Sequence, residues 1–206
     1  MDKETLLNDL REEISSDKSL PLSESNLVFG EGDPDTEVIF IGEAPGFYED
    51  REGRPFVGRA GKLLDELLKE IEWKRDSVYI TNIVKRRPPE NRDPLPEEVA
   101  AYYPYLRKQI DIINPKLILP LGRFSMNVFL PDAKISRDQG KVFRKGNWII
   151  VPLYHPAAAL RSTAVLNDLR NAFSKLPVIK NKLPDLLRNR VEPSVVEHPS
   201  HQDKLI

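Results

Sequence analysis

Residues 38–70 read VIFIGEAPGFYEDREGRPFVGRAGKLLDELLKE. Four apolar residues run without polar alternation into Gly42, the mark of a strand buried on both faces, as parallel strands are. Leucines at 63, 64, 67 and 68 recur at three- and four-residue spacing, which predicts an amphipathic helix from about residue 61. A strand followed by a helix is the repeating unit of α/β proteins. The link between them is out of proportion. A connection of this kind usually takes about 2–6 residues; this one has about three times that, rich in Gly, Pro and acids. So long and stiff a loop at a strand end is expected to hold something.

The same alternation continues along the chain. SVYITNIV (77–84) is a second strand, leading into KRRPPENRDPLP, and PEEVAAYYPYLRKQIDII (96–113) is a helix opened by Pro96 and two glutamates that suit its positive N-terminal dipole. KLILPLG (116–122) is a third strand, followed by the helix RFSMNVFL (123–130). KVFRKGNWIIVPLYH (141–155) predicts a hairpin turning at Lys145-Gly146-Asn147, its second arm a core strand, and LNDLRNAFSKL (166–176) closes the domain as a helix. The expected fold is an α/β three-layer α/β/α sandwich on a mostly parallel central sheet. Residues 1–183 form its single domain and 184–206 a polar tail. There is no internal repeat.

Composition narrows the function. Lys plus Arg number 31 against 32 acids, so an anionic partner must be met by a local basic patch. The chain has no cysteine, which excludes disulfides, thiol catalysis and cysteine-ligated metal or iron–sulfur sites. Two of the three histidines, His198 and His201, lie in the tail, which argues against a zinc site. No metal and no cofactor is expected. No apolar run approaches the ~18 residues of a membrane span. The N-terminal MDKETLLNDLREEI reads as an acidic amphipathic helix, not a signal peptide. A cytoplasmic, monomeric protein is the expectation.

Ligands of open α/β sheets sit beyond the carboxyl ends of the strands. Those ends carry Glu43, Asn82, Gly122 and His155. GEAPG is not a nucleotide loop, because it lacks the lysine and the glycine spacing. Each residue taken alone has an ordinary reading: a solvated acid, a cap, a filled turn. A carboxylate, an amide and an imidazole converging on one rim from about a hundred residues of chain point instead to a site.

Three stretches together, GEAPGFYEDREGRPFVGRAGKLLDELL, YITNIVKRRPPENRDPLPEEV and YHPAAALR, resemble the family 4 uracil-DNA glycosylases, the iron–sulfur class of that superfamily. The resemblance runs from about residue 12 to residue 177 and implies a glycosylase that flips uracil out of DNA and hydrolyses its N-glycosidic bond. It implies that Phe56 stacks on the uracil ring, that Asn82 reads the base edge, and that Glu49 stands beside C5 to exclude the methyl of thymine. Backbone N–H groups of the 42–46 turn, including Gly42 and Ala44, would assist His155 in holding negative charge on O2, while Glu43 serves the cationic sugar or its water. Lys85, Arg86, Arg87 and Arg92 would face phosphates, with Leu160 as the wedge and Arg161 at a further phosphate.

The chain departs from that family at the cluster. Members usually carry four cysteines binding a 4Fe–4S group; the matching positions here are Ser16, Ser19, Arg86 and Tyr102, so the cluster is expected to be absent. Tyr102, Tyr103 and Pro88-Pro89 are candidates for ordering the arginine-rich loop in its place. A related branch traps the abasic sugar with a loop histidine; residues 85–96 contain none, which favours simple hydrolysis. Two other classes remain open from sequence: a binding module for uracil or abasic DNA, and a hydrolase of a small N-glycoside.

Overall fold

The computed structural model describes residues 2–188. Its elements in chain order are α1 (Lys3–Ser16), β1 (Glu31–Gly32), β2 (Val38–Gly42), α2 (Phe47–Glu52), α3 (Arg59–Glu70), β3 (Tyr79–Asn82), α4 (Pro96–Ile113) and β4 (Leu117–Pro120). There follow α5 (Arg123–Phe129), α6 (Ile135–Asp138), β5 (Phe143–Lys145), β6 (Trp148–Ile150), α7 (Pro156–Ala159), α8 (Thr163–Phe173), α9 (Leu176–Asn181) and α10 (Leu183–Arg188). The strands form one sheet in the order β1-β3-β2-β4-β6-β5. β3, β2, β4 and β6 are mutually parallel, and only the short edges, β1 on β3 and β5 on β6, run antiparallel.

Every residue of β2 is buried, and its side chains divide by parity. Val38 and Phe40 face a core built with Leu64, Leu67 and Leu68 of α3 and Leu169 and Phe173 of α8. Ile39 and Ile41 face the other core, with Leu7, Leu10 and Ile14 of α1 and Tyr102, Leu106 and Ile110 of α4. The apolar run without alternation thus has its cause: two helical layers cover one sheet. The three-layer architecture expected from sequence is the one observed. The hairpin also forms, turning at Gly146, whose φ of +59° is a left-handed conformation natural to glycine.

Two boundaries differ. Regular β6 ends at Ile150, but its donors to the β4 segment run on, Val151 to the Ile118 carbonyl (3.0 Å) and Leu153 to the Pro120 carbonyl (2.9 Å), with a parallel bridge between Leu121 and Leu153. Pro152, which has no N–H to give, lies past the end of the pairing with β5. The domain limit expected at residue 183 falls at the first residue of α10. Leu183 is buried and Leu186 and Leu187 pack on the α3–α8 core, so the fold continues to Arg188, carried by leucines at three- and four-residue spacing in a polar setting. The rest of the expected tail, 189–206, lies outside the described residues. Among the described residues no helix is long and apolar enough to cross a membrane.

Candidate active site

The sheet brings its strand ends together in register. Gly42 pairs with Asn82 across β2 and β3, Leu121 donates to the Ile41 carbonyl (2.8 Å), and Gly122 donates to the Leu153 carbonyl (2.8 Å). Beyond them opens a cavity of about 610 Å³ lined by Glu43, Glu49, Phe56, Asn82, Gly122 and His155 among others. The four strand-end residues singled out in the sequence therefore meet at one place. A larger, shallower groove of about 1060 Å³ at the β1 edge is lined by ion-paired residues such as Glu31, Asp65 and Arg75 and holds none of these groups.

Gly42 is the floor of the cavity. A Cβ on it would lie 2.2 Å from Asn82 Oδ1 and 2.6 Å from the Phe56 ring, so only glycine lets the amide and the ring approach each other. Phe56 is almost wholly buried and holds φ +51°, a left-handed conformation that a non-glycine residue adopts at some cost and that clusters at functional sites. Its backbone is seated against Gly61 of α3, where a Cβ would come within 1.9 Å of the Phe56 carbonyl oxygen. The ring lies 5.7 Å from the His155 imidazole at a 30° tilt. Asn82 is 2% exposed, and its side-chain amide has no hydrogen-bond partner among the described residues. Both its donor and its acceptor are left for something in the cavity.

His155 caps α7. Its Nδ1 accepts from the Ala157 N–H (3.1 Å), which places the ring proton of the neutral imidazole on Nε2. Burial pushes its pKa down to about 4, opposed by the charge of Glu49, so a neutral N–H donor is what the site presents at physiological pH. Gly122, at φ +92°, makes room for it: a Cβ there would sit 3.1 Å from that of His155. Glu43 is the opposite case. Burial and the neighbouring Asp93 raise its pKa to about 7, with Arg123 partly offsetting them. Arg123 in turn pairs with Asp93 at 2.9 Å. Neither Asp93 nor Arg123 was singled out in the sequence; Arg123 follows Gly122 at a strand end and could have been, whereas its pairing with Asp93 joins separate loops.

Glu49 is tied down by its own loop. Oε1 accepts from the Val57 (2.9 Å) and Gly58 (2.8 Å) amides, so the carboxylate closes the long connection upon itself and forms one wall of the cavity. Ala44 also lines it, as do Ala157, Ala158 and Arg161 on the opposite side, and Leu160 stands 41% exposed at the rim.

The basic stretch needs correction. Lys85 does not face solvent: it is fully buried, its Nζ donating to Thr81 Oγ1 (2.6 Å), the Asn82 carbonyl (2.8 Å) and Gln109 Oε1 (2.6 Å). Burial holds its pKa well below the usual lysine range. Arg86 is likewise turned inward, its Nη1 donating to the Ser25 carbonyl at 2.6 Å. Arg92 forks onto the buried Glu98 at 2.6 and 2.9 Å. Of the stretch 85–87, Arg87 remains outward.

A profile of the Uracil DNA glycosylase superfamily matches residues 29–176. The chain belongs to that superfamily. It is 46% identical to the type-4 uracil-DNA glycosylase of Sulfurisphaera tokodaii over 182 residues, covering 82% of this chain and 83% of that one. It is 43% identical to the type-4 enzyme of Archaeoglobus fulgidus, covering 82% and 91% of the two chains. Similarity to the type-5 uracil-DNA glycosylase of Thermus thermophilus is weaker, 32% identity over 57% of this chain and 59% of that one.

The iron–sulfur cluster expected of the type-4 group does not fit the residues at its position. No thiolate exists in the chain to bind iron. The Tyr102 ring is fully buried there and its hydroxyl donates to the Pro21 carbonyl at 2.7 Å. Ser25 Oγ donates to the Arg87 carbonyl (2.8 Å) and the Arg86 guanidinium reaches back to the same segment. The Tyr102 phenol thus ties Pro21 to α4, while the Arg86 guanidinium and the Ser25 hydroxyl tie Ser25 to the arginine-rich loop. Arg86 Nε is buried without a partner, a local cost of this solution.

Proposed function

We propose that the protein is a uracil-DNA glycosylase that hydrolyses the bond between deoxyribose C1′ and uracil N1, leaving an abasic site. The observation that carries the reading is the closure of Phe56, Asn82 and His155 around a glycine floor, with an amide whose hydrogen-bonding groups are unused. A flipped pyrimidine would stack on Phe56. Asn82 would accept from uracil N3–H and donate to O4; cytosine offers an amino group and a bare N3 in those places. Glu49, held by Val57 and Gly58, would fill the space beside C5 that the methyl of thymine needs.

As the C1′–N1 bond breaks, its electron pair leaves with the base and the charge gathers on O2. The neutral His155 Nε2–H is a donor suited to that oxygen, with N–H groups of the 42–46 turn beside it. The sugar becomes cationic; the Glu43 carboxylate would stabilise it and take the proton of the attacking water. Leu160 would fill the gap in the stack, and Arg87 and Arg161 would meet phosphates. All these groups come from one chain, so we read the monomer as the working unit, acting on chromosomal DNA in the cytoplasm.

Single-turnover release of base tests the proposal. Uracil should leave an oligonucleotide in the presence of chelator, with thymine and cytosine untouched. Cleavage of free deoxyuridine at a comparable rate would make the protein a small-N-glycoside hydrolase instead. Tight binding of uracil or abasic DNA without release would make it a binding module.

A further inference from the structure

Phe47 and Tyr48 are each 50% exposed, side by side on α2 with their rings edge to face, centroids 5.4 Å apart. No residue of α2 is buried in the core. The helix is held instead by its next two residues. Glu49 receives the Val57 and Gly58 amides, and Asp50 receives the Asn26 amide at 2.7 Å. Those anchors point the helix one way and leave both rings outward. Large aromatic rings left half in water mark contact surfaces more often than stable bare surface.

Their neighbours indicate the partner. The Arg51 guanidinium lies 5.4 Å from the Tyr48 ring centre and that of Arg87 lies 5.1 Å from Phe47. Arg51 shares a loose pair with Glu52 (3.6 Å), and Arg87 Nε donates to Asn91 Oδ1 at 2.7 Å, so both cations stay at the surface. Tyr48 rests on Gly58, where a Cβ would meet its Cδ2 at 3.4 Å, and Phe47 rests against the arginine-rich loop. The pair therefore lies just outside the cavity, between Gly58 and the arginine-rich loop, next in the chain to the lining residues Gly46 and Glu49. Aromatic faces interleaved with arginines fit unpaired bases on a phosphate backbone, whereas an apolar protein partner would leave the guanidinium groups unmatched. Phe47 is within one helical turn of Glu49, about 5.4 Å of axis, a span of one or two nucleotides at about 3.4 Å each.

We propose that Phe47 and Tyr48, flanked by Arg51 and Arg87, form a stacking platform for unpaired bases adjoining the extruded nucleotide, which gives the enzyme a preference for single-stranded or locally opened DNA. The platform rests on the reading of the cavity as a uracil pocket, and its test does not depend on cleavage. Oligonucleotides bearing an uncleavable uracil analogue, with 2-aminopurine one or two nucleotides away, report both affinity and stacking. The wild-type chain should quench the single-stranded probe. Phe47→Ala/Tyr48→Ala, whose rings support no core, should melt as the wild type does, lose the quench and bind single strands at least about fivefold more weakly per ring, with a smaller loss on duplex. Phe47→Trp should keep the quench. Unchanged affinity and quench in the double variant would overturn the platform. So would a change in its self-association with DNA binding intact, which would assign the rings to a protein contact. A wild type that binds and quenches but never releases uracil would sink the glycosylase reading and leave the platform standing.

Discussion

His155 and Glu43 sit in the same cavity, yet burial acts on them in opposite senses, lowering the one to about 4 and raising the other to about 7. Desolvation disfavours whichever form is charged, so it keeps the imidazole neutral and makes the carboxylate reluctant to ionise. If the ionised Glu43 is the active form, the single-turnover rate should rise about tenfold per pH unit below pH 7 and level off above it. His155, already neutral above about pH 4, should add no limb in that range. Glu43→Gln should be slow and lose the rise. A profile flat through pH 7 in the wild type would remove Glu43 from the chemistry. His155→Ala should reduce the chemical step about 10²–10³-fold while binding to an uncleavable analogue changes little, because the charge it serves exists only as the bond breaks. Equal losses in both would make the imidazole a positioning group. Gly42→Ala should abolish binding of the base, since the added methyl occupies the space of the Asn82 amide and the Phe56 ring.

At the level of elements, β3 and the chain after it carry two kinds of work. Asn82 points into the cavity, while Tyr79, Thr81, Ile83 and Lys85 share a parity that faces α4. Thr81 Oγ1 and Gln109 Nε2 both donate to the Phe29 carbonyl, which draws Lys85 into a closed polar network behind the site. Lys85→Met should strand the Asn82 carbonyl and Gln109 Oε1. At about 1–3 kcal/mol per unsatisfied group, this should lower Tm by roughly 5–10 °C without altering the salt dependence of DNA binding. Arg161→Ala should do the reverse, leaving Tm alone and flattening the salt slope by about one unit. The inward turn of Lys85 was legible in YITNIVK, where every second residue belongs to one face. A cluster of basic letters obscured it. The strand ends were easier to read, because burial on both faces removes polar alternation and leaves the first polar residue after each strand conspicuous. What escaped the sequence were contacts set by how the connections fold, such as Asp93 with Arg123 and, within one long connection, Glu49 with Val57 and Gly58. No local spacing encodes these.

Across the whole molecule, basic and acidic side chains nearly balance, and many arginines are matched to acids, as Arg75 is to Asp65 and Arg170 to Glu70, whereas Arg161 lines the cavity and Arg87 lies in the loop beside it. Behind the arginine-rich loop, residues 21–25 are joined to α4 by the Tyr102 phenol and to the loop by the Arg86 guanidinium. Peroxide and superoxide attack iron–sulfur centres, and they also create much of the damage that repair must face. A joint of phenol and guanidinium offers those oxidants no metal to strip and no thiol to consume. Uracil release should therefore persist after exposure to millimolar-scale hydrogen peroxide and in protein produced under iron starvation, conditions under which a cluster-bearing relative assayed alongside should lose activity. The enzyme would then keep clearing deaminated cytosine during an oxidative burst, when a repair step dependent on intact iron chemistry is most easily silenced.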